Sequence, residues 1–244
     1  VHPGAPRIAM FNPNPSIQTL PIAPGHGAFI IDGALRDPQA WVEHAARHID
    51  AFEEAPFNAF PGPELRLPDA VTAQLEGFFA THARAGLGAR RTLRAHSRLS
   101  IVTRQPQELE PRQWICHRDR FGVPPGQCVA ASVLYLFHEP ALGGTSFFLP
   151  RRPAAEIDLL VHESGTLGRE AFAHRYGVKP GYLTQSNDWF EKVGTVPPRW
   201  NRVIFYDGSL FHCSDIPEPG RLSPDPRQGR LTLNGFFTCR RRAA

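Results

Sequence analysis

The sequence predicts a mainly β protein with supporting helices, built as a sandwich or barrel. Three observations carry this expectation. Strand-like segments dominate from residue 96 onward, they are short and broken by Gly and Pro turns, and two segments of helical spacing precede them. The 244 residues suffice for one generous domain, with 17 phenylalanines to fill a core and 25 prolines and 21 glycines for loops.

Taken in order, residues 1–28 read as an irregular arm, rich in Pro, Asn and Gly, with FNPNP and PIAPGHG as turn signals. PQAWVEHAARHIDAF (38–52) places Trp41, Ala45, Ile49 and Phe52 on one helical stripe, and Asp37 with Pro38 supplies a start. FPGPELRLP breaks that pattern. DAVTAQLEGFFATHAR (69–84) forms a second stripe through Val71, Leu75, Phe78 and Phe79, ended by GLGAR. Both helices are expected to brace one face of a sheet. Strands follow at HSRLSIVT (96–103), VAASVLYLF (129–137), GTSFFLP (144–150), RVIFYDG (202–208), SLFHCSD (209–215) and RLTLNGFFT (230–238). Between them, residues 155–177 look partly helical and lead into an aromatic-rich loop around Trp189 and Phe190. No internal repeat or clean boundary emerges, so a single domain over 1–244 is expected. It comprises arm and helices to residue 95 and a β core over 96–238, with residues 155–200 as an insertion.

Composition narrows the function classes. Hydrophobic residues make up 41% and charged residues 20%, and no stretch approaches the 18 or so apolar residues of a membrane span. No charged, then apolar, then small-residue export signal opens the sequence; as it starts at Val1 rather than Met, a removed leader stays open. Cys116, Cys128, Cys213 and Cys239 form no CxxC pair, which disfavours a zinc knuckle and suits a reducing, cytoplasmic compartment. Cys116 and Cys213 adjoin His117 and His212 and are expected in neighbouring strands, facing away from those histidines. The net charge of +4 comes with short arginine clusters but no long basic stripe, which disfavours a nucleic-acid partner.

The chemistry gathers around CHRDRF (116–121). In an extended strand His117 and Asp119, two apart, share a face. His212, at the end of the apolar run RVIFYDGSLFH, supplies a third donor. Two histidines and one carboxylate make a facial triad, which grips one side of an octahedral iron and leaves the other free for oxygen and a bidentate co-substrate. The same trio can hold zinc with an open position for hydrolysis. A protein-kinase reading of HRD fails, because Pro124 stands where the metal-binding Asn is required and no Gly-rich phosphate loop precedes it.

The chain resembles the iron(II)- and 2-oxoglutarate-dependent dioxygenases, especially the prolyl-hydroxylase-like branch and a bacterial group within it. The resemblance rests on H-x-D at His117 to Asp119, VLYLFHEPALGGTSFF (133–148), RVIFYDGSLFHCSD (202–215) and RLTLNGFF (230–237), in the family's order and over about residues 96–238. It implies a double-stranded β-helix, the cupin-like jelly roll, with helices behind the major sheet. It further implies that His117, Asp119 and His212 ligate Fe(II), and that Arg230 pairs with the distal carboxylate of 2-oxoglutarate. Thr232 and Tyr135 would touch the same group. The arginine of this family stands about ten residues beyond the second histidine, whereas Arg230 stands eighteen beyond. Arg221 is nearer, but it sits among Pro217, Pro219, Gly220 and Pro224, where a core strand is disfavoured. Phe137 replaces a common Asn. The implied reaction is hydroxylation of an unactivated C–H bond, with molecular oxygen consumed and succinate and carbon dioxide released. Desaturation or demethylation shares the early steps, and an intact Asp119 favours hydroxylation over halogenation. The substrate class stays open between a small molecule, an amino acid and a peptidyl group. Tyr176, Tyr182, Trp189, Phe190 and Trp200 are expected to form a lid over the metal, and Arg98, Arg118, Arg120, Arg151 and Arg152 are candidate anion contacts. A jelly roll without chemistry, serving as a binding or sensor module, and a zinc-dependent hydrolase are the alternatives. Oligomeric state is not legible in the sequence.

Overall fold

A computed structural model describes residues 9–54, 59–119 and 123–242. Two antiparallel sheets face each other. The larger has seven strands in the order β1–β2–β8–β5–β10–β4–β3, and the smaller has three in the order β7–β6–β9. The larger sheet contains β1 (Ser16–Ala23), β2 (His26–Asp32), β3 (Glu64–Arg66), β4 (Ala89–Val102), β5 (Gln127–Tyr135), β8 (Arg202–Asp207) and β10 (Arg230–Arg241). The smaller contains β6 (Thr145–Pro150), β7 (Phe190–Val196) and β9 (Phe211–Ser214). This is the mainly β jelly roll with supporting helices that the resemblance implies.

Alternation along β10 assigns the two faces of the large sheet. Leu231, Leu233, Phe237 and Cys239 point to the helical side, while Arg230, Thr232, Asn234 and Phe236 point to the concave side. Helix α1 (Pro38–Arg47) begins where the Asp37 side chain accepts from the Ala40 N–H at 3.0 Å. Helix α2 (Asp69–His82) buries Leu75, Phe78 and Phe79 against the sheet. Phe79 stacks on Phe237 at 4.2 Å between centroids and lies 5.5 Å from Phe205. A second core, with Phe147, Val196, Ile204 and Tyr206, fills the space between the sheets. A third gathers Trp114, Phe148, Phe172, Phe190 and Phe211 beneath α3 (Ala154–Ser164) and α4 (Arg169–Tyr176).

Three expectations are corrected. The described part of the 1–28 arm is not irregular beyond residue 15, because β1 and β2 form a hairpin that pairs through β2 with β8. Pro24 and Gly25, with Gly25 at φ +76, make the turn, and Pro21 is tolerated because β1 is an edge strand with a bulge there. Residues 155–200 are not wholly an insertion, since β7 is an integral strand paired with β6. Its run FEKVGTV has one aromatic and two β-branched valines but no clean alternation. The aromatic rings named for a lid do not line the cavity, although Asp158, Val161, His162, Ser164 and Gly165 of the same 155–200 segment do. Phe190 is fully buried, the Trp189 indole N–H donates to the Tyr176 carbonyl at 2.8 Å, and Trp200 stacks on His138. These rings serve packing, because a planar apolar surface gains more by being covered than by facing a wet mouth. No helix among the described residues is long and apolar enough to cross a membrane.

Candidate metal centre and its cavity

His117 and His212 meet across a β-bridge. The His117 N–H donates to the His212 carbonyl at 3.0 Å, and the His212 N–H donates to the His117 carbonyl at 2.8 Å. Two residues on, the Asp119 N–H donates to the Gly208 carbonyl at 2.7 Å. The backbone therefore fixes all three positions before any side chain contributes. His117 Nε2 lies 3.8 Å from Asp119 Oδ1, and His212 Nε2 lies 3.5 Å from Asp119 Oδ2. One donor atom from each residue falls within 4.8 Å of the other two.

The surroundings prepare these donors for a cation. His212 Nδ1 is 2.9 Å from the Leu210 carbonyl, so it carries the proton and leaves Nε2 with its lone pair toward the cluster. Burial pushes His117 well below the ordinary imidazole range, and the nearby His212 and Arg98 push the same way, so its ring is neutral. Burial also raises the Asp119 carboxyl, against the opposing pull of His212 and Arg98. Asp119 Oδ2 is buried and has no hydrogen-bond partner. An orphaned buried carboxylate oxygen is costly unless a cation joins it. The donor set fits a divalent first-row ion with an open face.

The trio lies in a cavity of about 800 Å³. Arg230 and Thr232 lie on its wall, each only 1% exposed. The Arg230 guanidinium donates to the Gly143 carbonyl at 3.1 Å and the Gly144 carbonyl at 2.8 Å, and no carboxylate pairs with it among the described residues. The glycines are dictated by this seat. Gly143 has φ +80, and a Cβ there would stand 1.7 Å from the Asp215 carbonyl oxygen; one on Gly144 would stand 2.0 Å from that of Val196. Arg221, by contrast, is an exposed residue paired with Glu218 at 2.6 Å and Glu139 at 3.5 Å. Tyr135 is not on the cavity wall. Its hydroxyl shares a 2.8 Å hydrogen bond with Thr145, and Thr145 is the residue that faces the space.

Sequence reasoning missed Tyr206, which lines the cavity with its ring edge-on to His212 at 4.7 Å. Alternation in RVIFYDG was the available signal, since Tyr206 shares the inward face with Ile204. It also missed Asn234, which shares the face of Arg230 and Thr232 two steps further along β10. Arg98 and Arg118 line the cavity, whereas Arg151 and Arg152 donate to the Asn187 and Asp188 carbonyls at the surface. Arg120 lies outside the described residues. Cys116 and Cys213 fall opposite each other beside the bridged histidines and pack against the third core, but they do not simply face away from the site, since both also line the cavity.

The model of a family of unknown function, DUF6445, matches residues 13–237. The chain belongs to this family. No curated protein matches the DUF6445 chain. Among solved structures, it is similar to the non-heme alpha ketoglutarate dependent epimerase SnoN from nogalamycin biosynthesis, at 14% identity and TM-score 0.49 over 88% of this chain and 80% of that one. HygX from Streptomyces hygroscopicus, with nickel and 2-oxoglutarate bound, has 11% identity and TM-score 0.46, covering 88% of this chain and 83% of its own. The carbocyclase SnoK from nogalamycin biosynthesis has 13% identity and TM-score 0.45, covering 89% and 81%. Likeness at this level carries no statement about the activity of the DUF6445 chain, which rests on its own residues.

Proposed function

We propose that the protein is a non-haem iron(II)- and 2-oxoglutarate-dependent oxygenase that hydroxylates an unactivated C–H bond of a small-molecule, amino-acid or peptidyl substrate. The observation that carries this reading is the pairing of two features in one cavity. A His117–Asp119–His212 cluster with an orphaned carboxylate oxygen shares it with Arg230, a buried guanidinium held by two backbone carbonyls and the face of Phe137, with no paired carboxylate among the described residues. A fully buried arginine without an acid is an anion receptor by default, because its own desolvation is otherwise unanswered.

In this reading His117, Asp119 and His212 hold the iron, and Arg230 receives the distal carboxylate of 2-oxoglutarate, with Thr232 beside it. When bound, iron and 2-oxoglutarate supply oxygen activation, with oxidative decarboxylation to succinate and carbon dioxide and transfer of one oxygen atom to the substrate. The chain orients and shields. Leu210 fixes the His212 tautomer, and the Tyr206 hydroxyl stays protonated because burial raises its pKa well above the ordinary range. The rings of Phe147 and Tyr206 wall His212. Zinc hydrolysis would use the same trio but gives no role to Arg230. Anaerobic titration with iron(II) and then 2-oxoglutarate tests the proposal. A visible charge-transfer band that appears only with both is expected, and its absence together with no release of labelled carbon dioxide overturns it.

A further inference from the structure

The cavity is longer than the proposed co-substrate needs. Its wall follows the concave faces of β10 and β4 from Arg230 outward past Asn234 and Phe236 to Thr238, which faces Arg94 in the ladder. At about 3.4 Å per residue, Asn234 lies roughly 13 Å along the strand from Arg230. The outer part must therefore be shaped for something else.

Two properties of that outer part point to one ligand chemistry. The first is charge. Arg94 and Arg98 stand on the outer wall, and among the described residues lining the whole cavity only Asp119 and Asp158 are acids. Asp119 belongs to the metal trio, and Asp158 is held by Arg118 at 2.5 Å. Arg94, exposed at the mouth, has no acidic partner among the described residues. The second is a pair of orphaned polar atoms facing each other in the ladder. Arg98 and Asn234 are register partners on β4 and β10. Asn234 is 6% exposed, and its Oδ1 has no partner, while Arg98 Nε is likewise buried and unbonded.

The orientation of that amide is set by a relay from Glu64. Arg98 donates to Glu64 Oε2 at 2.8 Å, and the Ser100 hydroxyl donates to Glu64 Oε1 at 3.1 Å. With its only proton committed, Ser100 accepts from Asn234 Nδ2 at 3.0 Å, which leaves Oδ1 as the free end. Glu64 thus positions both a donor and an acceptor. Phe236 supplies a floor beneath them, with the Arg98 guanidinium 4.6 Å and the His96 ring 4.8 Å from its centroid.

We propose that the outer half of the cavity binds an anionic substrate whose carboxylate or phosphate is received by Arg94 and the free edge of Arg98, and whose adjacent N–H or O–H donates to Asn234 Oδ1. This deepens the oxygenase reading and rests on it for the co-substrate at Arg230. Electrostatic pairing in a partly closed site favours an anion over a neutral isostere, which would leave Arg94 without a counter-charge and the Arg98 Nε–H without a charged acceptor.

The test uses the full chain, loaded anaerobically with iron(II) and saturating 2-oxoglutarate, whose binding is recorded first and judges the oxygenase reading separately. Three probes are then titrated by calorimetry: N-acetyl-L-leucine, its carboxamide, and N-acetyl-O-phospho-L-serinamide. Binding of either anion at least tenfold tighter than the carboxamide is expected, and whichever anion binds more tightly tells a carboxylate from a phosphate source. Arg94→Gln should weaken the preferred anion at least tenfold, while Arg90→Gln, on the same strand but outside the cavity, should leave it within twofold. Equal binding of the carboxamide, no anion binding at millimolar concentration, or an Arg94→Gln protein that binds like the parent overturns the proposal.

Discussion

The backbones of His117 and His212 exchange hydrogen bonds in both directions, at 3.0 and 2.8 Å, which makes the two rings cross-strand neighbours with centroids 4.5 Å apart. The loop entering at His117 and the strand β9 are thus locked together at the point where the donors converge. Removing one donor side chain by His212→Ala, His117→Ala or Asp119→Ala leaves this backbone bridge in place. Each variant should fold, with near-parental circular dichroism, yet lose iron(II) affinity by more than the roughly 10–100-fold typical of an outer partner. Metal titration of the purified variants checks this.

Arg230 and Arg221 are expected to separate cleanly. Arg230→Gln removes the buried fork and should raise the 2-oxoglutarate requirement by roughly 30-fold or more, the equivalent of about 2 kcal/mol or more for one partner of a buried pair. Arg221→Ala, which breaks exposed pairs with Glu218 and Glu139, should change it less than about twofold. The readout is the 2-oxoglutarate dependence of carbon dioxide release.

Gly144→Ala tests the seat of Arg230. The new methyl would stand 2.0 Å from the Val196 carbonyl oxygen, and since that contact is backbone on the neighbouring strand β7, no rotamer relieves it. A loss of at least about 2 kcal/mol in urea unfolding is expected, together with weaker 2-oxoglutarate binding as the carbonyls that hold the guanidinium shift.

Acid sensitivity should trace in part to Asp32, at the end of β2. Arg202 grips it with two hydrogen bonds, at 2.6 and 3.0 Å, and Arg199 adds a third at 2.9 Å. The Arg202 hydrogen bonds hold the carboxyl below its usual value against the opposing effect of burial, and the charges of Arg202 and Arg199 add to them. A depressed folded-state value means that this stabilisation is present above the unfolded value of about 3.9 and is lost as pH falls through the lower, folded value. Asp32→Asn should cost about 1–3 kcal/mol at neutral pH, and the gap from the parent should narrow below about pH 4. Denaturant unfolding across pH reads both.

Much of this was legible where a residue's role follows from local spacing. The i,i+2 spacing of His117 and Asp119 and the alternation of RLTLNGFF needed only strand geometry, and both reached the right face. Tyr135 is set back from the cavity wall for a subtler reason. It lies directly opposite Thr232 in the ladder, on the inward side, but Thr145 from the other sheet takes its hydroxyl and stands between it and the cavity. A sheet-to-sheet contact of that kind leaves no trace in either strand alone. The β1–β2 hairpin was hidden because Pro21 and the Pro24–Gly25 turn read as breakers when they mark an edge and a corner. Strand β7 was hidden by aromatic neighbours whose partners, Tyr176 at the end of α4 and Phe211 in β9, are set by packing between elements. The Glu64–Ser100–Asn234 relay joins three strands through side chains separated by up to 170 residues.

The seat of Arg230 has a bearing on the lifetime of the chain itself. The guanidinium is shut away with carbonyl dipoles and no paired carboxylate among the described residues, and on the proposed reading a dianion arriving there would strengthen the whole fold by mass action, by about 2.7 kcal/mol at a hundredfold excess over its dissociation constant. Protease resistance of the purified chain should then rise with added 2-oxoglutarate.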